Sequence, residues 1–371
     1  MVLKLSPKPP ASNKSPPAAS PDEKLFTQQV DFSDGRRVWV SYPLPDRITF
    51  NGYLLAEHFE EPFEDNTPLE AKVAEFASGL KGAHAYFHEA APYKGTESLW
   101  ARVQLPMGSR GSTVFIEVRK SVNDGVPQFK MRMEFNPRKV GLAGCKQLQT
   151  ELHQAAQGAF HLGRFLADAS LSRLDVAVDF ADVRPADLIV TTKRKEGQRV
   201  HYLGTDGALE TVQVHRPSKT PGVGTLAVKL YDRNRERKAA GKPAPYPGRQ
   251  VTRLEVEKRR FPQGFGILNI ESMKTPLADV RLSYAPILSP PSQTKTWQRY
   301  LAARRGVGHH AAVTSIGVQP IFGKPLAALH DKHPSNLLAP AIWEGWSKGL
   351  IVSGFGYLIW LAWSAMKAHT P

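Results

Sequence analysis

The stretch Ser172–Phe180, S-R-L-D-V-A-V-D-F, places Leu174, Val176, Val178 and Phe180 on one side of an extended chain. Arg173, Asp175, Ala177 and Asp179 fall on the other, because side chains of a strand alternate between faces. Two further segments read the same way. In Thr225–Asp232 (TLAVKLYD), Leu226, Val228 and Leu230 oppose Ala227, Lys229 and Tyr231. In Val251–Lys258 (VTRLEVEK), Leu254 and Val256 oppose Arg253, Glu255 and Glu257. Each strand thus has an apolar face for a core and a charged face for another purpose. A merely solvated sheet face would give the same alternation. Two aspartates within one strand argue for more, since Asp is disfavoured there.

Around these strands the chain divides by composition. Residues 1–24, rich in Pro, Ser, Ala and Lys, read as a disordered basic leader. Residues 25–143 are strand-like, with RRVWVSY (36–42), STVFIEVRK (112–120) and FKMRMEFNP (129–137). The turn VNDGVP (122–127) joins the last two as a hairpin, and residues 67–80 have helical spacing. Residues 144–262 form the expected catalytic core. It opens with one long amphipathic helix over 144–168 and continues into the three charged-face strands. Residues 263–300 read as a linker, and 301–371 as a helical C-terminal region. The expected fold is α+β, a central, mostly antiparallel sheet flanked by helices.

The 371 residues carry 49 Lys and Arg against 34 Asp and Glu, a net charge of +15, which favours a polyanionic partner. Between 183 and 260 there are 18 Lys and Arg against 8 Asp and Glu, so much of the surplus surrounds Tyr231. One cysteine, Cys145, excludes an internal disulfide and a Cys-based zinc site. No G-x-x-x-x-G-K-[ST] run occurs, so a helicase would have to come from elsewhere. No His-hydrophobe-His triplet occurs either, and His84, His88, His309 and His310 read as structural or loop residues.

The charged faces suggest chemistry. A tyrosine hydroxyl can attack a phosphodiester and hold the cut strand as a phosphotyrosyl link. It needs a metal to neutralise the phosphate and cations to grip the strand. Side chains four apart on a strand are roughly 13 Å apart, so Asp175 and Asp179 cannot both hold one ion. One of them with Glu255, then Glu257, makes an oxygen site suited to Mg²⁺ or Mn²⁺. Lys229 and Arg233 flank the nucleophile. Arg173, Arg235, Arg237, Lys238, Arg253, Lys258, Arg259 and Arg260 are the expected DNA contacts.

These segments together resemble the phage and plasmid replication initiation factors, the rolling-circle initiators and related relaxases. The strand 172–180 matches the family's first motif. Tyr202-Leu203-Gly204 matches a Y-L-G element, and Tyr231-Asp232-Arg233 with Glu236 matches Y-[DN]-K-x-x-E. Arg253-Leu254-Glu255 matches R-x-E, and EFNPRK (134–139) resembles an upstream N-P-x-K segment. Arg233 stands where a lysine is usual. The resemblance covers about residues 110–262. It implies that Tyr231 nicks origin DNA, single-stranded or cruciform, keeps the 5′ phosphate and leaves a 3′ hydroxyl that primes synthesis. Asp175 and Glu255 would bind the metal, and host helicase and polymerase would follow, in a bacterial cytoplasm. A non-cleaving origin-binding or regulatory protein on the same scaffold is the alternative.

The 18 residues Gly349–Met366 are uncharged. One helix there would span about 27 Å, marginally enough for a bilayer core. Membrane association, self-association and a buried terminal helix are the three readings of this segment.

Overall fold

The computed structural model describes residues 5–6, 26–31, 37–60, 67–83, 98–107, 112–192, 198–215, 226–244, 248–284 and 340–368. The strands are β1 (Leu5–Ser6), β2 (Phe26–Asp31), β3 (Arg37–Ser41), β4 (Leu44–Tyr53), β5 (Ser98–Met107), β6 (Ser112–Asn123), β7 (Val126–Phe135) and β8 (Ser170–Ala181). There follow β9 (Leu188–Thr192), β10 (Gln198–Leu203), β11 (Leu209–His215), β12 (Leu226–Asp232), β13 (Val251–Lys258) and β14 (Val280–Tyr284). The architecture is α+β with antiparallel strand pairing, as expected.

The chain divides into two compact units, each gathered from three stretches. The first comprises residues 1–44, 176–258 and 274–346; the second comprises 45–175, 259–273 and 347–371. Strand β8 gives its first half to the second unit and its second half to the first. The expected boundary at 143/144 therefore does not divide the molecule.

In the first unit the strand order is β10-β11-β12-β13-β8, and β3 also pairs with β8. The apolar sides of these strands, among them Val178, Phe180, Val212, Val228, Leu230, Leu254 and Val256, are buried in one core. The two-stranded sheet β14-β9 supplies Val190, Val280 and Leu282 to it. This overturns the expected linker from 263: Ile267, Ile270, Met273 and Leu277 are buried, and β14 pairs with β9. The remainder of that expected linker, from 285, lies outside the described residues, as does the leader apart from the short β1, which pairs with β2.

In the second unit the order is β8-β4-β7-β6-β5. The β6–β7 hairpin turns through Asp124 and Gly125, both with positive φ, 50° and 78°. That is the conformation a two-residue hairpin turn of Asp-Gly adopts. Helices α1 (Leu69–Ala83), α2 (Pro137–Ala155) and α3 (Leu162–Asp168) belong to this unit. Phe76, Phe160 and Phe165 are fully buried among them, with Phe76 and Phe160 stacked at 4.7 Å. The expected single helix 144–168 is two helices. α2 is itself broken at Gly141 (φ 65°, ψ 178°): a first turn, capped by Asn136 accepting the Lys139 N–H and started by Pro137, precedes a longer run that begins close to the expected 144. It ends where Gln157 and Gly158 turn to positive φ.

The apolar C-terminal segment is likewise not one rod. After the short α5 (Pro340–Trp343), α6 (Trp346–Val352) and α7 (Phe355–Ala368) meet at a bend of 95°. No single helix among the described residues is long and apolar enough to cross a membrane. α7 packs within the second unit: Phe355 stacks on Phe50 at 6.2 Å, and Phe355, Leu358 and Ala362 are buried.

Gly354 makes the bend. Its φ is +78°, and a Cβ there would lie 2.3 Å from the Leu142 backbone nitrogen. Gly354→Ala combines left-handed strain with a backbone clash and is expected to cost about 2–4 kcal/mol. Urea unfolding followed by ellipticity will read it; an unchanged midpoint would mean that the bend is not held by this approach.

Candidate active site

The registers of the first unit decide which side chains meet. Tyr231 pairs with Thr211 on β11 and with Arg253 on β13. One step along, Lys229 pairs with Gln213 and Glu255. One step further, Ala227 pairs with His215 and Glu257. Directly opposed residues share a face, so Tyr231, Lys229, Arg253, Glu255 and Glu257 form the single charged face that the sequence pattern requires. The apolar residues between them enter the core.

Within this face the Tyr231 hydroxyl donates to Glu255 Oε2 at 3.2 Å. Lys229 Nζ lies 3.8 Å from Glu255 Oε1. Tyr231 is half-buried and Lys229 keeps about a third of its side chain in solvent, whereas Glu255 is nearly buried. A phenol, a carboxylate that can accept its proton, and an ammonium therefore adjoin one another at the margin of the core.

The aspartates of β8 are differently placed. Asp179 receives two hydrogen bonds from Arg253, Nε–Oδ1 at 2.6 Å and Nη2–Oδ2 at 2.8 Å. The arginine side chain is 0% exposed and that of the aspartate 2%. Arg253 is thus a core residue and cannot touch a DNA strand, contrary to the sequence expectation. Asp175 belongs to the second unit, where Arg173 holds it through Nε–Oδ1 at 2.9 Å and Nη2–Oδ2 at 2.7 Å. Arg173 is engaged in turn. A carboxylate closed by a bidentate guanidinium has its best lone pairs occupied. Asp175 and Asp179 therefore do not fit the ligand role, whereas Glu255 and Glu257 offer hard oxygen donors on one face. Among the described residues no three of His, Cys, Asp and Glu gather as a metal-binding group.

The segment after Tyr231 accounts for its own motif. Asp232 caps helix α4 (Arg233–Ala239), accepting from the backbone N–H of Asn234 and Arg235 at 2.9 and 3.0 Å. Gln250 donates to its other oxygen at 2.9 Å. Arg233 and Glu236 pair one helical turn apart. The Y-D-R-x-x-E spacing is thus a tyrosine at a strand end, a helix cap and an i,i+3 ion pair. Arg233 is itself buried, and its Nε has no hydrogen-bond partner among the described residues.

The basic rim is largely compensated. Arg235 binds Asp206 and Glu210, carboxylates that sequence reasoning passed over. The Arg235 hydrogen bond, followed by the Ala208 backbone amide, holds the Asp206 carboxyl down at about 2. Arg237 donates from Nε to the Pro243 carbonyl at 2.6 Å. Lys238 is exposed and Lys258 half-buried. Arg259 and Arg260 are exposed but belong to the second unit. Tyr202 is exposed and pairs with Thr211, in the same row as Tyr231. The histidines at 84, 88, 309 and 310 lie outside the described residues. Burial pushes the Cys145 thiol up to about 12, so it is no nucleophile. Sequence reasoning also missed His58, fully buried and 2.9 Å from Asp168 through Nε2.

No model of a known protein family matches the chain. No curated protein matches it either.

Removing Arg253 leaves Asp179 charged and buried. Arg253→Ala is expected to lose about 3–5 kcal/mol. Lys229→Ala, which removes the partly exposed member of a loose 3.8 Å pair and leaves Glu255 its hydrogen bond from Tyr231, should lose about 1 kcal/mol. Equilibrium urea unfolding of both variants checks the contrast; equal losses would contradict the assignment of Arg253 to the core.

Proposed function

We propose that the chain is a DNA-nicking and rejoining enzyme that initiates rolling-circle replication of a phage, plasmid or related element, with Tyr231 as its nucleophile. The hydrogen bond from the Tyr231 hydroxyl to Glu255, with Lys229 beside that carboxylate, is the observation that carries the reading. A phenol attacks phosphorus well only when its proton has somewhere to go. Glu255 lies at hydrogen-bond distance to take it.

In the proposed step the Tyr231 oxygen forms a bond to phosphorus. The bond from phosphorus to the 3′ oxygen breaks, the phenol proton passes to Glu255, and the 3′ oxygen leaves to become a hydroxyl, its proton supplied by solvent. The 5′ phosphate stays on the protein, so the reverse attack rejoins the strand. That polarity follows the family resemblance. Lys229 offsets charge building on the phosphate. Mg²⁺ or Mn²⁺ is part of the reading: Glu255 and Glu257 would hold the ion, and it would neutralise the scissile phosphate. Arg233 supports helix α4 behind the tyrosine. A bacterial cytoplasm is the location this activity calls for.

One observation favours the runner-up, a non-cleaving DNA-binding protein on the same scaffold. The tyrosine, the lysine and the glutamate satisfy one another, as a purely structural polar face also would.

Cleavage of a random pool of labelled single-stranded oligonucleotides with Mg²⁺ or Mn²⁺ separates the two. The expected product is a covalent protein–DNA adduct on a denaturing gel. Tyr231→Phe should remove it wholly, and Glu255→Gln should slow it by about 10²–10⁴-fold. Chelation should stop it. Binding with no adduct from the unaltered chain would leave only the runner-up.

A further inference from the structure

The second unit has a polar sheet face of its own, formed by β4, β7, β6 and β5. Rows run straight across it. Asn51 opposes Arg132, which opposes Glu117, which opposes Arg102. In the next row Tyr53 opposes Lys130, which opposes Arg119. The other face carries Phe50, Ile116, Met131 and Met133 into the core.

The charges on this face do not cancel. Glu134 is held by Arg47 and Arg132, and Glu117 by Arg102 and Arg119. Burial drives the Glu134 carboxyl up, but hydrogen bonds from Arg47 and Arg132 and their charge bring it below its ordinary value. The two carboxylates thus spread the guanidinium groups across the sheet. Lys130 has no acidic partner opposite it in the ladder. Its ammonium lies 5.2 Å from the centre of the Tyr53 ring, which is 49% exposed. Arg102 and Arg132 each lie 5.9 Å from the half-buried Phe115 ring. A groove of about 460 Å³ follows this surface, lined by Tyr53, Arg119, Lys130 and Arg132 against the carboxylates of Glu117 and Asp168.

We propose that this groove binds single-stranded DNA. Backbone phosphates would lie on Arg119, Lys130 and Arg132, and a base would stack on Tyr53. Exposed rings among cations suit unpaired bases, whose faces are open, whereas a duplex hides those faces. An anionic small molecule would use the cations but not the ring. The choice of DNA over RNA rests on the nicking reading above; the surface itself does not depend on it.

The test uses the full chain carrying Tyr231→Phe, so that binding is read without cleavage, and fluorescence anisotropy of labelled oligo(dT). Tyr53→Ala should weaken binding at least about fivefold, and Tyr53→Phe should restore it. Lys130→Ala should lower the slope of log K against log salt by about 0.7, the share of one phosphate on a single strand. Oligo(dT) affinities of Tyr53→Ala and Lys130→Ala equal to the parent's would overturn the proposal. So would tighter binding of a duplex or of oligo(rU) than of oligo(dT). The nicking reading fails separately, by the absence of any adduct from the chain that retains Tyr231.

Discussion

The Arg253–Asp179 pair is the constraint on which the first unit's polar face depends. Two opposite charges lie almost wholly out of water. Such a pair is tolerable only when its geometry is close to ideal, because desolvation costs each ion several kcal/mol. Two short parallel hydrogen bonds supply that geometry. The pair therefore fixes the register of β13 beside β8. A slip of one residue would turn Asp179 into the core among Leu254 and Val256 and turn Val178 and Phe180 out of it. Once Arg253 is fixed, Tyr231 opposes it and Lys229 opposes Glu255. The meeting of phenol and carboxylate is thus inherited from a buried ion pair that does no chemistry.

The two units use ionic ladders to different ends. Around helix α4, Arg235 faces Asp206, Glu210 and Asp232, three carboxylates to one guanidinium. On the open face of the second unit, arginines flank each glutamate and the cations are in excess. The first arrangement braces a strand–helix junction. The second leaves positive charge facing solvent. Net charge over a sequence window does not tell these apart, because it counts a compensated arginine and a solvent-facing one equally.

What was legible in the sequence was the alternation. Ser172–Phe180, the strand ending in Tyr231 and the strand from Val251 each present the faces that their period-two pattern requires. The Asp-Gly turn behaves as its backbone preferences dictate. The sequence did not reveal which polar side chains neutralise one another. Arg253 and Asp179 are 74 residues apart, and nothing local marks their union. For the same reason Asp175 looked available as a ligand although its arginine partner lies two residues away. Apolar periodicity also carried the long helix past Gln157 and Gly158, because the break depends on backbone conformation, which periodicity does not report. The charged side of FKMRMEF was visible as alternation, but its neighbours on β4 and β5 come from distant segments.

The chain's weaving has a consequence for its biosynthesis. The first unit takes residues from three stretches, the last being 274–346, and the second unit is completed only by 347–371. Strand β8 must serve both. A nascent chain leaving the ribosome therefore cannot finish one unit and then begin the other, as beads on a string do. Both stay open until residues 274–371 have been made, and α7 then covers Phe50 and Phe135. A chain cut before α7 would forfeit the packing that this helix provides on Phe50 and Phe135.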